Sequence, residues 1–305
     1  MSGLSGGGGA RRERSEARAA WGFLAPALAA ITAFFALPLA AALLLSLTDF
    51  DIYAVADLGN ARFVGLRNYL RLLADPLFWT VLRNTVVFVV LGVPLTLLAA
   101  LGGALLVHSR LARLPGLYRT VFFAPVVTTL VAVAVVWRYL YHPRFGLIDH
   151  ALGFLGIPPI DWLGHPWWAM VAITLLAVWR TFGYGLVIFV VGLEAIPGSL
   201  YEAAALDGAG GWRRFRDITL PQLRPTALFV AVLVTVQVFQ IFAEPYVMTR
   251  GGPLHATTSI TLLMYEQGFR WWNMGHAAAI AFVLFALILA TTGLQVALRR
   301  RGRGA

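Results

Sequence analysis

The sequence predicts an all-α, polytopic membrane protein with six transmembrane helices, and three observations support that fold class. Of its 305 residues, 59% are hydrophobic and only 12% are charged, whereas about 25% of the residues of a soluble domain are charged. Six segments are long and apolar enough to cross the roughly 30 Å hydrocarbon core of a bilayer. Arg residues cluster in short segments beside these stretches. The charged residues are too few to cover the surface of a soluble domain of this size. Part of the surface of the protein must therefore face lipid.

The six predicted spans define one transmembrane domain over residues 19–298. A Gly-, Ser- and Arg-rich composition predicts a disordered cytoplasmic tail over 1–18, and residues 299–305 form a basic cytoplasmic tail. A signal peptide has an apolar region of about 7–15 residues, so the longer first span is expected to be an uncleaved anchor. The predicted spans are 19–47, 84–107, 120–137, 166–193, 225–247 and 277–298.

The distribution of Arg predicts that both termini are cytoplasmic. With the N-terminus inside, the tails and the loops 108–119 and 194–224 carry fifteen Arg residues, against eight on the opposite side. Short cytoplasmic segments carry the excess of basic residues in membrane proteins. The same clustering explains the net charge of +10 without a nucleic-acid-binding face.

The composition also argues against catalysis by this chain. The sequence has no Lys and no Cys, and the P-loop that cradles ATP phosphates needs a Lys. The six His residues lie singly, without the spacing of metal ligands, and the carboxylates are scattered. We therefore expect no catalytic residue, no metal site and no cofactor in this chain.

The cytoplasmic loop over 194–224 predicts two short helices joined at glycines. Ser199 and Glu202 have the spacing of a capping box that opens the first helix, and Gly208 is placed to end it in a left-handed conformation. The second helix is expected from about Trp212 to Thr219, ending before Pro221. The small side chains of 203–205 would let another protein approach closely, although Ala is also the best helix former on an ordinary surface.

This loop contains the pattern E-A-A-x3-G-x9-I-x-L-P, together with an acidic residue before the glycine and a Phe. The pattern and these two additions resemble the extended signature of permease subunits of binding-protein-dependent ABC importers of the type I class. The segments 63–69, 79–85, 119–125 and 246–253 are similar to permeases of the maltose and glycerol-3-phosphate class. The matching loop residues are Glu202, Ala203, Ala204, Asp207, Gly208, Phe215, Ile218, Leu220 and Pro221.

The resemblance implies a transport subunit in a bacterial cytoplasmic membrane. Its partners would be a second homologous permease, two copies of an ATP-binding cassette ATPase and an extracytoplasmic solute-binding protein, with membrane lipid around them and no nucleic acid. ATP and magnesium would bind the ATPases, into which the loop helices would dock. The solute would be a sugar or a sugar-like molecule. The alternative is a stand-alone secondary transporter, which would need ion-coupling carboxylates within the membrane; Glu244 alone fits that role loosely.

Arg180 is the first candidate for contact with the solute. It lies about fourteen residues into the fourth span, where a charge costs roughly 2.5–3.5 kcal/mol on insertion scales. Such a side chain must face a cavity or a partner. One interpretation is a solute or gating contact, and the other is a structural Arg that bonds the carbonyls of a helix broken near Gly183 and Gly185.

Span five offers the remaining candidates. Gln237, Gln240 and Glu244 are spaced i, i+3, i+7, which predicts a polar stripe on one helical face. Tyr246 follows, and Phe239 and Phe242 are interleaved, a combination of hydrogen-bonding and aromatic groups that suits a sugar. The stripe could equally form interhelical hydrogen bonds with a partner permease.

Overall fold

The computed structural model describes residues 20–109 and 115–301, and this part of the chain is helical. Among these residues no strand forms beyond one isolated bridge between Thr48 and Phe63. The predicted tail over 1–18 lies outside the described residues, as do residues 302–305 of the C-terminal tail.

We label the helices α1 to α14 in chain order. Two π-helical turns, Phe215–Thr219 and Glu266–Arg270, follow α10 and α13 directly. The helices are α1 (Ala20–Ser46), α2 (Ile52–Ala56), α3 (Arg67–Ala74), α4 (Pro76–His108), α5 (Pro115–Val127), α6 (Leu130–Leu140), α7 (Leu147–Gly153), α8 (Pro166–Glu194), α9 (Gly198–Leu206), α10 (Gly211–Arg214), α11 (Leu220–Phe239), α12 (Ala243–Met248), α13 (Ile260–Tyr265) and α14 (Met274–Arg301).

Within the described residues, five helical stretches are long and apolar enough to cross a membrane, and one bent pair raises the number to six. The mean hydropathy of the five lies between 1.8 and 2.4. The all-α polytopic fold class predicted from the sequence is therefore confirmed. The five stretches are Ala20–Ser46, Pro76–His108, Pro166–Glu194, Gly211–Met248 and Met274–Leu298.

The third predicted span, 120–137, is bent into α5 and α6, and this bent pair is the one that raises the number of candidate spans to six. The two helices meet at an angle of 99°, and Thr129 between them is extended, with ψ at 122°. Pro125 cannot donate a helical hydrogen bond, and the four residues after it are all β-branched, which disfavours a helix. Thr128 instead donates its hydroxyl to the Pro125 carbonyl at 2.7 Å. The hydropathy of this segment does not reveal the bend.

Helix α4 begins eight residues before the predicted start at Asn84. Asp75 caps its N-terminus by accepting a hydrogen bond from the Leu77 amide at 2.8 Å. Pro76 occupies the first helical position, where a missing N–H costs nothing. These two residues give a helix start that the apolar pattern alone does not reveal.

Helix α8 is the centre of the bundle and packs against α4, α5 and α11. Glycines on α8 let these neighbours approach: a Cβ on Gly183 would collide with the Phe122 carbonyl. A Cβ on Gly185 would lie 3.0 Å from Ala100 and from Val230. Small residues are enriched at helix crossings in membranes because they allow close backbone packing. The position of α8 therefore fixes the helices on both sides of the cytoplasmic loop.

The C-terminal end of α1 and the residues after it are held against the rest of the bundle by hydrogen bonds from α3 and α14. Asn68 on α3 donates from its amide to the Ser46 carbonyl at 2.9 Å and to the Thr48 carbonyl at 2.7 Å. The Gly275 amide on α14 donates to the Phe50 carbonyl at 2.9 Å. These bonds satisfy carbonyls that the end of α1 leaves free.

Candidate functional site

Helix α9 carries the E-A-A residues of the cytoplasmic loop and begins without the predicted capping box. Its N-cap is Pro197, and no side chain accepts a capping hydrogen bond there. Ser199 and Glu202 both lie inside the helix and are exposed. The prediction is wrong by two positions, because the helix starts at Gly198 directly after the proline and places Ser199 past the capping position.

The end of α9 is as predicted, with Gly208 in the left-handed conformation at a φ of 74°. The Ala209 amide donates to the Ala204 carbonyl at 2.8 Å, and the Gly208 amide donates to the Ala205 carbonyl at 3.1 Å. This pair of bonds is a Schellman motif, which satisfies the last carbonyls of a helix.

The second helix of the loop does not end before Pro221, so that prediction is wrong. Helix α10 runs through the π-helical turn Phe215–Thr219 into α11, where the Leu220 amide donates to the Phe215 carbonyl. A proline inside an α-helix collides with the carbonyl four residues earlier. The wider π turn makes room for Pro221, so the loop helix and span five form one continuous rod.

Internal hydrogen bonds hold the loop together. The Tyr201 and Thr219 hydroxyls lie 2.9 Å apart and connect α9 to the π turn. Arg214 donates from Nε to the Ala209 carbonyl at 2.7 Å. The loop is therefore a stiff protrusion between two membrane helices, and not a flexible connection.

Much of the surface of this protrusion is exposed. Glu202, Ala203, Asp207 and Gly208 are all exposed. Two large apolar side chains near them were not singled out from the sequence: Leu206 is 90% exposed and Trp212 is 74% exposed. Of the remaining matched residues, Leu220 is exposed, and the others are half-buried: Ala204, Phe215, Ile218 and Pro221. Exposed apolar side chains grouped on a polar loop are typical of a docking surface.

The polar stripe predicted on span five is interrupted by a break in the helix. Helix α11 ends at Phe239, and α12 begins only at Ala243. Pro245 explains the break, because a continuous helix would need its N–H to bond the Ile241 carbonyl and its ring would collide with that carbonyl. Gln237 and Gln240 are exposed, whereas Glu244 is buried beyond the break. The prediction that all three share one face is therefore wrong.

Side chains from a later segment satisfy the carbonyls that the break leaves free. Ser259 donates its hydroxyl to the Ile241 carbonyl at 2.6 Å, and Thr261 donates to the Phe239 carbonyl at 3.4 Å. Backbone groups in a membrane must find partners within the protein. The break is thus stabilised by hydrogen bonds from another segment of the protein.

Arg180 pairs with Glu244 across the gap between α8 and α12. The distance from Arg180 Nη2 to Glu244 Oε1 is 3.3 Å, and the two side chains are 29% and 4% exposed. Helix α8 is continuous through Gly183 and Gly185, so the proposed broken helix and its carbonyl contacts are wrong. The opposite charges of the two residues, each alone in an apolar span, were a signal that they could be partners.

An aromatic cluster adjoins the break. Tyr246 stacks on Phe242 with ring centroids 5.4 Å apart and meets Tyr265 edge-on at 5.4 Å. Phe269 extends the cluster at 5.7 Å from Tyr265. The sequence gives no sign of Tyr265 and Phe269, because they lie about twenty residues further along the chain. The exposed amides of Gln237 and Gln240 thus lie within a few residues of the aromatic rings of Phe242 and Tyr246 at the break.

Comparison with known proteins identifies the family. Residues 92–304 match the family described as "Binding-protein-dependent transport system inner membrane component". The chain belongs to this family. Membership in this family confirms that the chain is an inner-membrane permease subunit of a binding-protein-dependent ABC importer. The alternative interpretation, a stand-alone secondary transporter, is therefore not supported.

Two relatives resemble this permease over nearly their whole length. The lactose transport system permease protein LacF of Rhizobium radiobacter is 35% identical over 280 residues, covering 90% of this chain and 92% of LacF. The trehalose/maltose transport system permease protein MalF of Thermococcus litoralis is 36% identical over 280 residues, covering 91% and 92%. Both are named as permeases, which agrees with the prediction that this chain is a transport subunit and not an enzyme.

A solved structure supports the fold independently. A chain in the crystal structure of a bacterial ABC transporter involved in the import of the acidic polysaccharide alginate matches with a TM-score of 0.78. The identity is 19%, and the match covers 95% of this permease and 98% of that chain.

Among the described residues no group of His, Cys, Asp or Glu could hold a metal ion.

Proposed function

We propose that this permease forms half of the translocation pathway for a sugar or a sugar-like solute and transmits the ATPase cycle through its 199–221 loop. The exposed, internally braced loop with the E-A-A and glycine pattern is the observation that carries the proposal. The names of the relatives support the solute class, because LacF and MalF are named for transport of lactose and of trehalose and maltose.

In this proposal the loop docks into an ATP-binding cassette ATPase. Two copies of the ATPase bind ATP and magnesium, and their closure moves the loop. Helix α8 ends at Glu194, four residues before α9, and α10 continues into α11. A rigid-body displacement of the loop would therefore move both membrane helices, which suits a switch between two packings.

The second half of the pathway comes from a homologous permease. Helix α1 leaves most of its apolar surface open, with Phe23 and Phe34 87% and 78% exposed. This surface suits lipid and the second permease. The Arg distribution supports cytoplasmic termini, which places the loop inside and the solute-binding protein at the outer loops.

Gln237, Gln240 and Tyr246 face the pathway in this proposal. All three side chains are exposed in the single subunit, and an amide or a phenol in contact with lipid would be unfavourable. Amides can donate to and accept from sugar hydroxyls. Arg180 and Glu244 border the same region as an ion pair.

Reconstitution tests the function directly. The permease, its partner permease, the ATPases and the loaded binding protein should together give ATP-dependent uptake of a saccharide into proteoliposomes. The permease alone should show no ATPase activity. Uptake by this chain alone, driven by an ion gradient, would contradict the proposal.

Single Cys replacements test the pathway, since the chain has no native Cys. Gln237→Cys and Gln240→Cys should react with a small water-soluble thiol reagent, and the rate should change when nucleotide traps the assembly. Val238→Cys is the matched control, because Val238 is only 7% exposed between them. If all three Cys variants were equally unreactive towards the thiol reagent in every state, the Gln side chains would form hydrogen bonds with other helices and would not face the pathway.

A further inference from the structure

Arg180 and Glu244 are the two charged residues of the six predicted spans. The spans 19–47, 84–107, 120–137 and 277–298 contain no Asp, Glu, Lys or Arg. The other two spans contain one charge each, of opposite sign. A charge within the membrane is unfavourable without a partner. The charge that this subunit presents to a solute therefore depends on how these two groups are arranged.

The structure brings the two charges together. Arg180 Nη2 lies 3.3 Å from Glu244 Oε1, and the Glu244 side chain is only 4% exposed. A carboxylate at this distance lowers the positive potential that the guanidinium presents on its open side. Part of the guanidinium stays accessible, since the Arg180 side chain is 29% exposed.

Three exposed polar side chains beside the break are neutral. Gln237 and Gln240 present amides, and Tyr246 presents a phenol on an aromatic stack. Amides and phenols donate to and accept from hydroxyl groups, and aromatic rings pack against the apolar faces of pyranoses. This set recognises hydroxyl groups and offers no uncompensated charge.

We propose that the solute of this permease is an uncharged saccharide or polyol, and that the Arg180–Glu244 pair excludes anionic sugars from this half of the pathway. The inference rests on the proposed function and makes its solute class more specific. It separates neutral sugars from sugar phosphates, sulfonates and uronates.

An anionic solute would meet an unfavourable arrangement at the pair. If it bound Arg180 beside Glu244, two negative charges would share one guanidinium. If it displaced Glu244, that carboxylate would remain buried without its partner, and breaking a buried ion pair is strongly unfavourable. A hydroxyl group carries no charge and has neither effect.

The first test is a solute panel on the complete wild-type assembly in proteoliposomes, with its cognate binding protein. The panel contains neutral mono- and disaccharides and polyols, together with sugar phosphates and uronates of matched size. We expect a neutral compound to be taken up fastest and every anionic compound at least tenfold more slowly. Fastest uptake of an anion overturns the inference alone, whereas uptake of no panel member overturns the proposed function as well.

The second test is a double-mutant cycle on the best neutral solute. Arg180→Gln and Glu244→Gln each leave one charge unpaired, so each should lower uptake per assembled complex at least tenfold. The double variant leaves no charge and should return to within about threefold of wild type. If the double variant is as deficient as Arg180→Gln, the guanidinium itself binds the solute and the inference is wrong.

Glu194→Gln is the matched control. Glu194 pairs with Arg119 in the same protein, but both side chains are about half exposed, at 51% and 45%. Exposed ion pairs contribute little, so this variant should stay within about twofold of wild-type uptake. The amount of assembled complex, measured by copurification with the ATPase, separates a transport defect from a folding defect in every variant.

Discussion

The cytoplasmic loop and the break in span five are both irregular, but they are held in different ways. In the loop, both bonding partners belong to the loop itself, as with Tyr201 and Thr219 and with Arg214 and Ala209. At the break, Ser259 bonds the Ile241 carbonyl, and Arg180 pairs with Glu244 across 64 positions of chain. The loop is specified locally, whereas the break depends on distant segments.

The solvent explains this difference. The loop faces water, which can satisfy any polar group that the protein leaves free. The membrane offers no such partner, so each polar group at the break needs one from the protein. Substitutions at membrane contacts should therefore act on folding, and those on the loop should act on coupling.

The largest effect is expected where α8 crosses α5 within the membrane domain. Gly183→Val would drive a side chain into the Phe122 carbonyl, and a backbone group cannot rotate away as a side chain can. Overpacking usually costs about 1–3 kcal/mol, occasionally more, and here we expect the upper end. Thermal unfolding in detergent and the yield of folded permease measure it.

Gly102→Val is the control for that variant, because nothing lies within 4 Å of a Cβ on Gly102 in helix α4. It should retain near-normal yield. Equal yields for the two variants would contradict the close packing of α8 on α5.

The next largest effect concerns the loop and is functional. Gly208→Pro is incompatible with a φ of 74°, since proline fixes φ near −65°. It should lower coupled transport at least tenfold while the membrane domain stays folded. Binding-protein-stimulated ATPase activity and uptake measure it.

Gly210→Pro provides the matched control within the same loop. The φ of Gly210 is −69°, which proline adopts without strain. It should keep most of the transport activity. If both proline variants transport normally, the conformation of the loop does not matter for coupling.

A smaller effect is expected from two serine substitutions that compare the regions directly. Ser259→Ala removes the partner of the Ile241 carbonyl and should destabilise the fold by about 0.6–1.7 kcal/mol, the range of hydrogen bonds within membranes. Ser199→Ala on the exposed loop removes no capping bond and should change stability negligibly. Chemical denaturation in detergent measures both, and a reversed order would contradict the comparison.

The smallest effect on stability is expected at Glu202. Glu202→Ala removes an exposed side chain that makes no capping bond, so the free energy of unfolding should change by less than about 0.5 kcal/mol. Stimulation of the ATPase should nevertheless fall, because the proposed docking surface loses its carboxylate. A stability loss with normal stimulation would restore the capping role.

The features that could be predicted from the sequence are those that depend on neighbouring residues or on the thickness of the bilayer. Gly208 was placed correctly because a helix end depends on a few neighbouring residues. The six apolar segments were found because the length of a membrane helix is set by the bilayer. The family pattern also lies within one short stretch, from Glu202 to Pro221.

The errors have two origins. Pro125 and Pro245 each mark a break that a hydropathy pattern treats as continuous, and the capping-box pattern at Ser199 was outweighed by Pro197. The other misses are non-local: the Arg180–Glu244 contact and the approach of Tyr265 to Tyr246 require the packed bundle. No spacing in a single sequence gives such distances.

The most direct test of the coupling account is the accessibility of Leu206, which is 90% exposed in the free subunit. Leu206→Cys, in a chain without native Cys, should react rapidly with a water-soluble maleimide when the two permeases are assembled without ATPase. Addition of the ATPase subunits should slow that reaction at least tenfold. Phe154→Cys, with Phe154 81% exposed on the predicted outer side, should be unaffected. Unchanged labelling of Leu206→Cys on ATPase binding would contradict the claim that this loop is the docking surface.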